Sequence, residues 1–187
     1  MKKSITYFEN PGKENTDELI SCIKERLEGS NIKYVAIASS SGETAIKLAK
    51  EIKNVKIINV THFKGFSGEN KSDISDEMIE KLEKEGVKTY FGAHAFSGAC
   101  RGISNKYGGS TPLDIVADTL RMFSHGIKVS CEISLMLADA GLVPTGEEIL
   151  AIGGRAQGID SAIILSTVNM NNLFDLKIHE IIAMPRP

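Results

Sequence analysis

Val35-Ala36-Ile37-Ala38-Ser39-Ser40-Ser41-Gly42-Glu43-Thr44-Ala45 runs from one structural pattern directly into another. Tyr34 to Ala38 is a continuous apolar run. Buried parallel strands carry such runs because both of their faces are covered. The hydroxyl-rich turn breaks the run. Ala45, Leu48, Ala49 and Ile52 then fall on one face of a helix. A buried strand feeding a helix is half of a parallel strand–helix–strand unit.

Working outward, the same alternation repeats. Leu19, Ile20, Ile23 and Leu27 predict a helix over 17–27, capped by Asn15 or Thr16 and ended by Gly29. Lys56 to Val60 reads as a second buried strand. The polar stretch Thr61–Asp73 holds Gly65 and Gly68. Ser75 opens a helix with Met78, Ile79 and Leu82 inward and Gly86 at its end, and Val87–Phe91 is a third strand. The alternation predicts a parallel sheet, with right-handed crossovers placing helices on its faces.

The second half changes character. Ala95–Asn105 is weakly helical. Thr111 can cap a helix with Pro112 in its first turn and Leu113, Val116, Leu120 and Phe123 on one face. Residues 127–142 are apolar on most sides, which predicts a central buried helix. Strands are expected at Ile149–Ile152, Ala162–Ser166 and Lys177–Ala183, the last stopped by Pro185 and Pro187.

At 187 residues the expectation is a single domain over 1–187. Lysine plus arginine number 22 against 24 acidic residues, a net charge of -2, so no nucleic-acid partner and no polybasic membrane contact are expected. No apolar run is long enough to span a membrane, and the start does not read as a signal peptide. Three widely spaced cysteines without a CxxC read as reduced thiols of a cytoplasmic protein.

Five places carry candidate chemistry. At the Ser39–Thr44 turn, the free N–H groups of a helix start attract anions. Ser39, Ser40, Ser41 and Thr44 offer hydroxyls there, and Gly42 permits close approach. Ser40 with Glu43 equally fits a capping box that satisfies the same groups internally. Spacing alone leaves both readings open. His62 and His94 end consecutive strands, on the side where open parallel sheets form their ligand crevice. They suit hydrogen bonding or acid–base work, or simply bonds to loop backbone. Two histidines without a third ligand make a poor metal site, and none is expected. The loop 63–71 is either a lid or a solvated surface loop. Gly153–Asp160 is a glycine-rich strand–strand turn in which Arg155 offers a fork of donors. It lacks the Lys-Ser/Thr of a phosphate-binding P-loop. Glu132 and Asp139 share a helix face and read as structural partners of Lys128 and Arg121, with Cys131 as core. His125 looks like a helix end. His179 sits in the last strand, and neither is given a role. A serine hydrolase is disfavoured, because there is no GxSxG elbow and no group in the sequence pattern to orient a histidine.

The turn IASSSGETA resembles the Thr-x-Ser-Gly-x-Ser/Thr-Ala turn of the pyruvate kinase C-terminal domain, with Ser39, Ser41, Gly42, Thr44 and Ala45 matching. KIINVTHF and EILAIGGRAQGIDSAIIL resemble later strands of that domain. SSSGETA, VTHF, AHAFSG, YGGSTP, TLRMF, GIKVSCEI and IIAMPRP together resemble stand-alone, mainly archaeal and bacterial, proteins built on the same domain. The resemblance implies a three-layer α/β/α domain with a mostly parallel sheet of about five strands. It implies a small phosphorylated partner, flavin mononucleotide (FMN) first, with phosphate on Ser39, Ser41, Gly42 and Thr44; Ser40 joins them by its hydroxyl in the same turn. Thr61, His62, Gly154 and Arg155 would make further ligand contacts. His94 and Ser97 join them by their place after a strand. The TIM-barrel half that performs pyruvate kinase chemistry has no room in this chain, so that activity is not expected. Any catalysis would be the flavin's redox chemistry. A non-catalytic, metabolite-sensing or partner-binding domain is the alternative, and self-association is left open.

Overall fold

A computed structural model describes residues 2–186. Its strands are β1 (Thr6–Phe8), β2 (Tyr34–Ala38), β3 (Lys56–His62), β4 (Lys88–Gly92), β5 (Glu148–Gly153), β6 (Ser161–Ser166) and β7 (Lys177–Pro185). Its helices are α1 (Thr16–Leu27), α2 (Glu43–Glu51), α3 (Asp76–Lys84), α4 (Gly98–Tyr107), α5 (Pro112–Arg121) and α6 (His125–Asp139). The strands form one sheet in the order β1-β7-β6-β5-β2-β3-β4. Only β6 is antiparallel to its neighbours, so six strands run one way and the sheet is mostly parallel.

Two apolar layers sandwich the sheet. Leu19 and Ile23 of α1, Leu48 of α2 and Leu82 of α3 pack with Val35, Ile37 and Ile57 on one face. Ile127, Leu135, Met136 and Leu137 of α6 pack with Ala36, Ile58, Ile149 and Ile163 on the other. This is the three-layer α/β/α arrangement. Helix α6 is buried from Gly126 to Ala138 except at Val129, as its all-round apolar pattern demands.

Several local expectations need correction. The sheet has seven strands rather than about five. The three residues of β1 are too few to show a period, yet they pair in parallel with β7. Pro185 is the last residue of β7 and does not stop it, while Pro187 lies outside the described residues. Asn15 caps nothing with its side chain, which donates to the Asn10 carbonyl at 2.7 Å. No Ser40–Glu43 capping box forms. The cap position of α2 is Gly42 at φ 83°, in the left-handed region, and no side chain bonds the helix start. A capping box does form at α5. The Asp114 carboxylate accepts the Thr111 backbone N–H at 2.7 Å and the Thr111 hydroxyl at 2.8 Å.

The order of strands positions the crevice. From β2 the chain moves outward to β3 and β4, then returns through α4–α6 to place β5 on the other side of β2. The carboxyl ends of β2 and β5 therefore flank a topological switch point, where open α/β sheets bind their ligands.

Candidate functional site

A cavity of about 280 Å³ opens at that switch point. One wall is the end of β2 and the turn after it, Ala38, Ser39 and Ser40. Another is the end of β3, Val60, Thr61 and His62, with His94 and Ser97 beyond β4. Gly154, Ala156 and Gly158 of the β5–β6 hairpin close a third side, and α6 supplies the floor with His125, Lys128 and Glu132. Backbone and side chain stitch the first two walls together. Ser39 N–H donates to the Val60 carbonyl at 3.2 Å, and the Thr61 hydroxyl donates to the Ser40 carbonyl at 2.8 Å.

Of the residues singled out in the sequence, Ser39, Ser40, Thr61, His62, His94, Ser97 and Gly154 line this cavity together. Ser41, Gly42, Thr44 and Arg155 do not. Ser41 and Arg155 are exposed. Gly42 is buried against α3, where an added β-carbon would lie 2.7 Å from Met78 and 3.0 Å from Ile74 and Leu82.

The charged lining was not visible in the sequence pattern. Arg101 of α4 and Arg121 of α5 reach the cavity, as do His125 and Lys128 of α6. His125 opens α6 rather than ending a helix. The sequence held one signal for this group: Lys128 and Glu132 are charges inside an otherwise apolar helix. Lys128 Nζ donates to Glu132 at 2.5 Å, and the other Glu132 oxygen accepts the Phe96 N–H at 2.9 Å. Their side chains are 8% and 2% exposed. The expected partnership of Glu132 with Lys128 is therefore present. Asp139 differs. Among the described residues it takes no cation; it accepts from the Asn169 side chain at 2.8 Å and the Met170 N–H at 3.1 Å, because it lies at the far end of α6 from the crevice. Arg121 pairs with Asp118.

The histidines are set by their surroundings. His62 Nδ1 lies 2.5 Å from Asp73 Oδ2, and the Ser67 hydroxyl donates to the other Asp73 oxygen. The Ser67 bond first, then His62, holds the Asp73 carboxyl below the ordinary carboxylate range. An orienting carboxylate thus exists, supplied by the loop that follows His62, eleven residues on. The loop 63–75 is anchored. Phe66 lies against His62 with ring centroids 3.9 Å apart, and Gly65 N–H bonds the Lys71 carbonyl at 2.7 Å. Burial pushes the His94 imidazole below its usual value, with Glu132 opposing and His62, Lys128 and Arg101 adding to the fall. Burial also lowers His125, helped by Lys128, Arg121 and Arg155. His179 lies outside the crevice and bonds the Ser166 hydroxyl at 2.7 Å. Cys131 is core, its thiol pushed up to about 12 by burial.

Fold and site define a doubly wound α/β domain with a cation-lined crevice at its switch point. The model of the pyruvate kinase alpha/beta domain family matches residues 17–168, and the chain belongs to that family. Among solved structures it is similar to a pyruvate kinase from Cryptosporidium parvum, at 17% identity and a TM-score of 0.43. The match covers 82% of this chain and 23% of that one, so the chain corresponds to a minor part of that enzyme's length. Among the described residues no helix is long and apolar enough to cross a membrane.

Proposed function

We propose that the crevice binds a small phosphorylated molecule, with flavin mononucleotide as the first candidate. The carrying observation is convergence: Arg101 and Arg121, the latter also paired with Asp118, face the hydroxyl wall of Ser39, Ser40 and Ser97 in one cavity, beside the His125 imidazole and the Lys128–Glu132 pair. The carboxylate among them, Glu132, is already neutralised by Lys128. Such a cluster favours an anion, and Arg presents a fork that matches phosphate oxygens.

A flavin fits the residues present. His62, Phe66 and His94 line the cavity with ring centroids 3.9 to 5.3 Å apart, an aromatic wall suited to a planar ring. When bound, that cofactor supplies hydride or single-electron transfer. The chain's own part is to hold the phosphate, orient the ring and exclude water. The phosphoryl-transfer activity of a pyruvate kinase is not proposed for this chain.

The test is an absorption spectrum of protein purified without added cofactor, followed by titration with FMN and with riboflavin. The expected result is tighter binding of the phosphorylated form, abolished by Ser40→Asp and much less affected by Ser41→Asp. Equal affinity for FMN and riboflavin would sink the phosphate anchor.

One observation favours a second reading, a metabolite-sensing or partner-binding domain. Helices α4 and α5 each send an arginine to the crevice. They also leave Ile103, Tyr107 and Ile115, with Met122 just after α5, from 52% to 74% exposed. Ligand-dependent association, measured by sedimentation with and without sugar phosphates, is its signature.

A further inference from the structure

His62 and His94 lie at the cavity wall edge to face, with ring centroids 5.3 Å and planes 73° apart, and their surroundings give them opposite hydrogen-bonding senses. Asp73, held ionised by Ser67 and His62, can only accept. His62 Nδ1 therefore carries the proton bonded to Asp73, and in the neutral ring Nε2 carries a lone pair. Phe66 against the ring face fixes its plane. His94 is the reverse case. Its Nδ1 is enclosed without a partner. Burial favours the neutral ring. No partner at Nδ1 opposes the neutral imidazole's ordinary preference for carrying its proton on Nε2, so the proton belongs there. The pair thus presents one acceptor and one donor.

We infer that His62 and His94 read the edge of a planar heterocycle carrying a ring N–H beside a carbonyl, a lactam or imide edge. His62 Nε2 accepts from the ring N–H, and His94 Nε2–H donates to the carbonyl. Phe66 forms the adjoining apolar wall. The ligand class narrows to phosphorylated heterocycles with that edge, such as flavin or uracil nucleotides, and away from adenine and cytosine nucleotides. This inference rests on the phosphate-binding reading above, and its test separates the two.

Binding to the full chain is measured by calorimetry at pH 8.5, above the ordinary imidazole value of about 6.5. Ribose 5-phosphate probes the anion site alone. FMN against N3-methyl FMN, and uridine against cytidine monophosphate, probe the edge. Loss of a matched donor at a site with buried polar groups should weaken binding at least about tenfold. N3-methyl FMN and cytidine monophosphate should fall behind by that factor, and His62→Phe should bring both ratios near one. Nitrogen-15 spectra of the unaltered protein should show His62 protonated on Nδ1 and His94 on Nε2, whether or not the variant folds. Binding of ribose 5-phosphate with equal affinities within each pair overturns the edge inference alone. No binding of ribose 5-phosphate or of any nucleotide overturns the phosphate reading and this one with it. The opposite tautomer on either ring also overturns the inference.

Discussion

Gly126 and Gly153 touch where α6 begins and β5 ends: a β-carbon on Gly153 would fall on the Gly126 carbonyl oxygen. A β-carbon on Gly126 would in turn lie 2.7 Å from Asp160 Oδ1. Neither backbone can withdraw, because α6 is buried along nearly its whole length and β5 sits inside the sheet. The contact therefore sets where His125 and Lys128 stand relative to the β5–β6 hairpin.

Gly153→Ala forces these two elements apart. Overpacking of this kind costs about 1–3 kcal/mol. A lower urea midpoint with unchanged slope is expected, together with weaker ligand binding. A midpoint equal to that of the unaltered protein would show that the contact relaxes freely.

Lys128 and Glu132 form an ion pair that is almost wholly removed from solvent. Glu132→Gln leaves the Lys128 ammonium buried without its counter-charge, and breaking such a pair destabilises by about 3–5 kcal/mol. Lys128→Met with Glu132→Gln removes both charges and should recover much of that loss. Urea denaturation of both variants checks the order, and a double variant no better than the single one would count against it.

Glu180 is held by Arg26, bonded at 2.6 Å to both carboxylate oxygens, and by Lys3. The Arg26 bond first, then Lys3, lowers its carboxyl from 4.5 to about 2, with partial burial opposing. A depressed folded pKa contributes stability that is complete above the ordinary value and lost as the pH falls through the lowered one. Arg26→Met should therefore lower the urea midpoint near neutral pH. The difference from the unaltered protein should shrink between about 4.5 and about 2. A difference independent of pH would contradict the assignment.

Cys131 is buried, and its thiol is pushed up to about 12, so it holds almost no thiolate at pH 8. Cys22 and Cys100 are half-buried. Timed alkylation of native protein, read by mass spectrometry, should label those two first and Cys131 only on unfolding. Early modification of Cys131 would show that α6 opens locally.

What was legible in the chain was whatever depends on neighbours in sequence. Tyr34–Ala38 is a strand because five successive residues suit burial, and Ser75 caps α3 because its hydroxyl accepts the Met78 N–H three residues on. The apolar run in α6 announced its burial in the same way. The crevice side follows from the carboxyl ends of parallel strands, which is where the chain places His62 and His94.

The sequence by itself determined the alternating helices and strands, the buried α6 and the hydroxyl turn after β2, because periodicity and turn chemistry act over a few residues. Tertiary structure decided which of those residues meet. It turned Ser41, Gly42 and Thr44 away from the cavity, because Gly42 must pack under Met78 and Leu82 of α3. It brought Arg101, Arg121 and His125 from three separate elements to one wall, and Asp73 from a loop to His62. Those meetings depend on the packing of α6 against β5 and on the anchoring of loop 63–75. The first leaves no local pattern, since its energy is felt only between segments far apart in the chain, and the second folds a loop back over eleven residues, which no short-range period encodes.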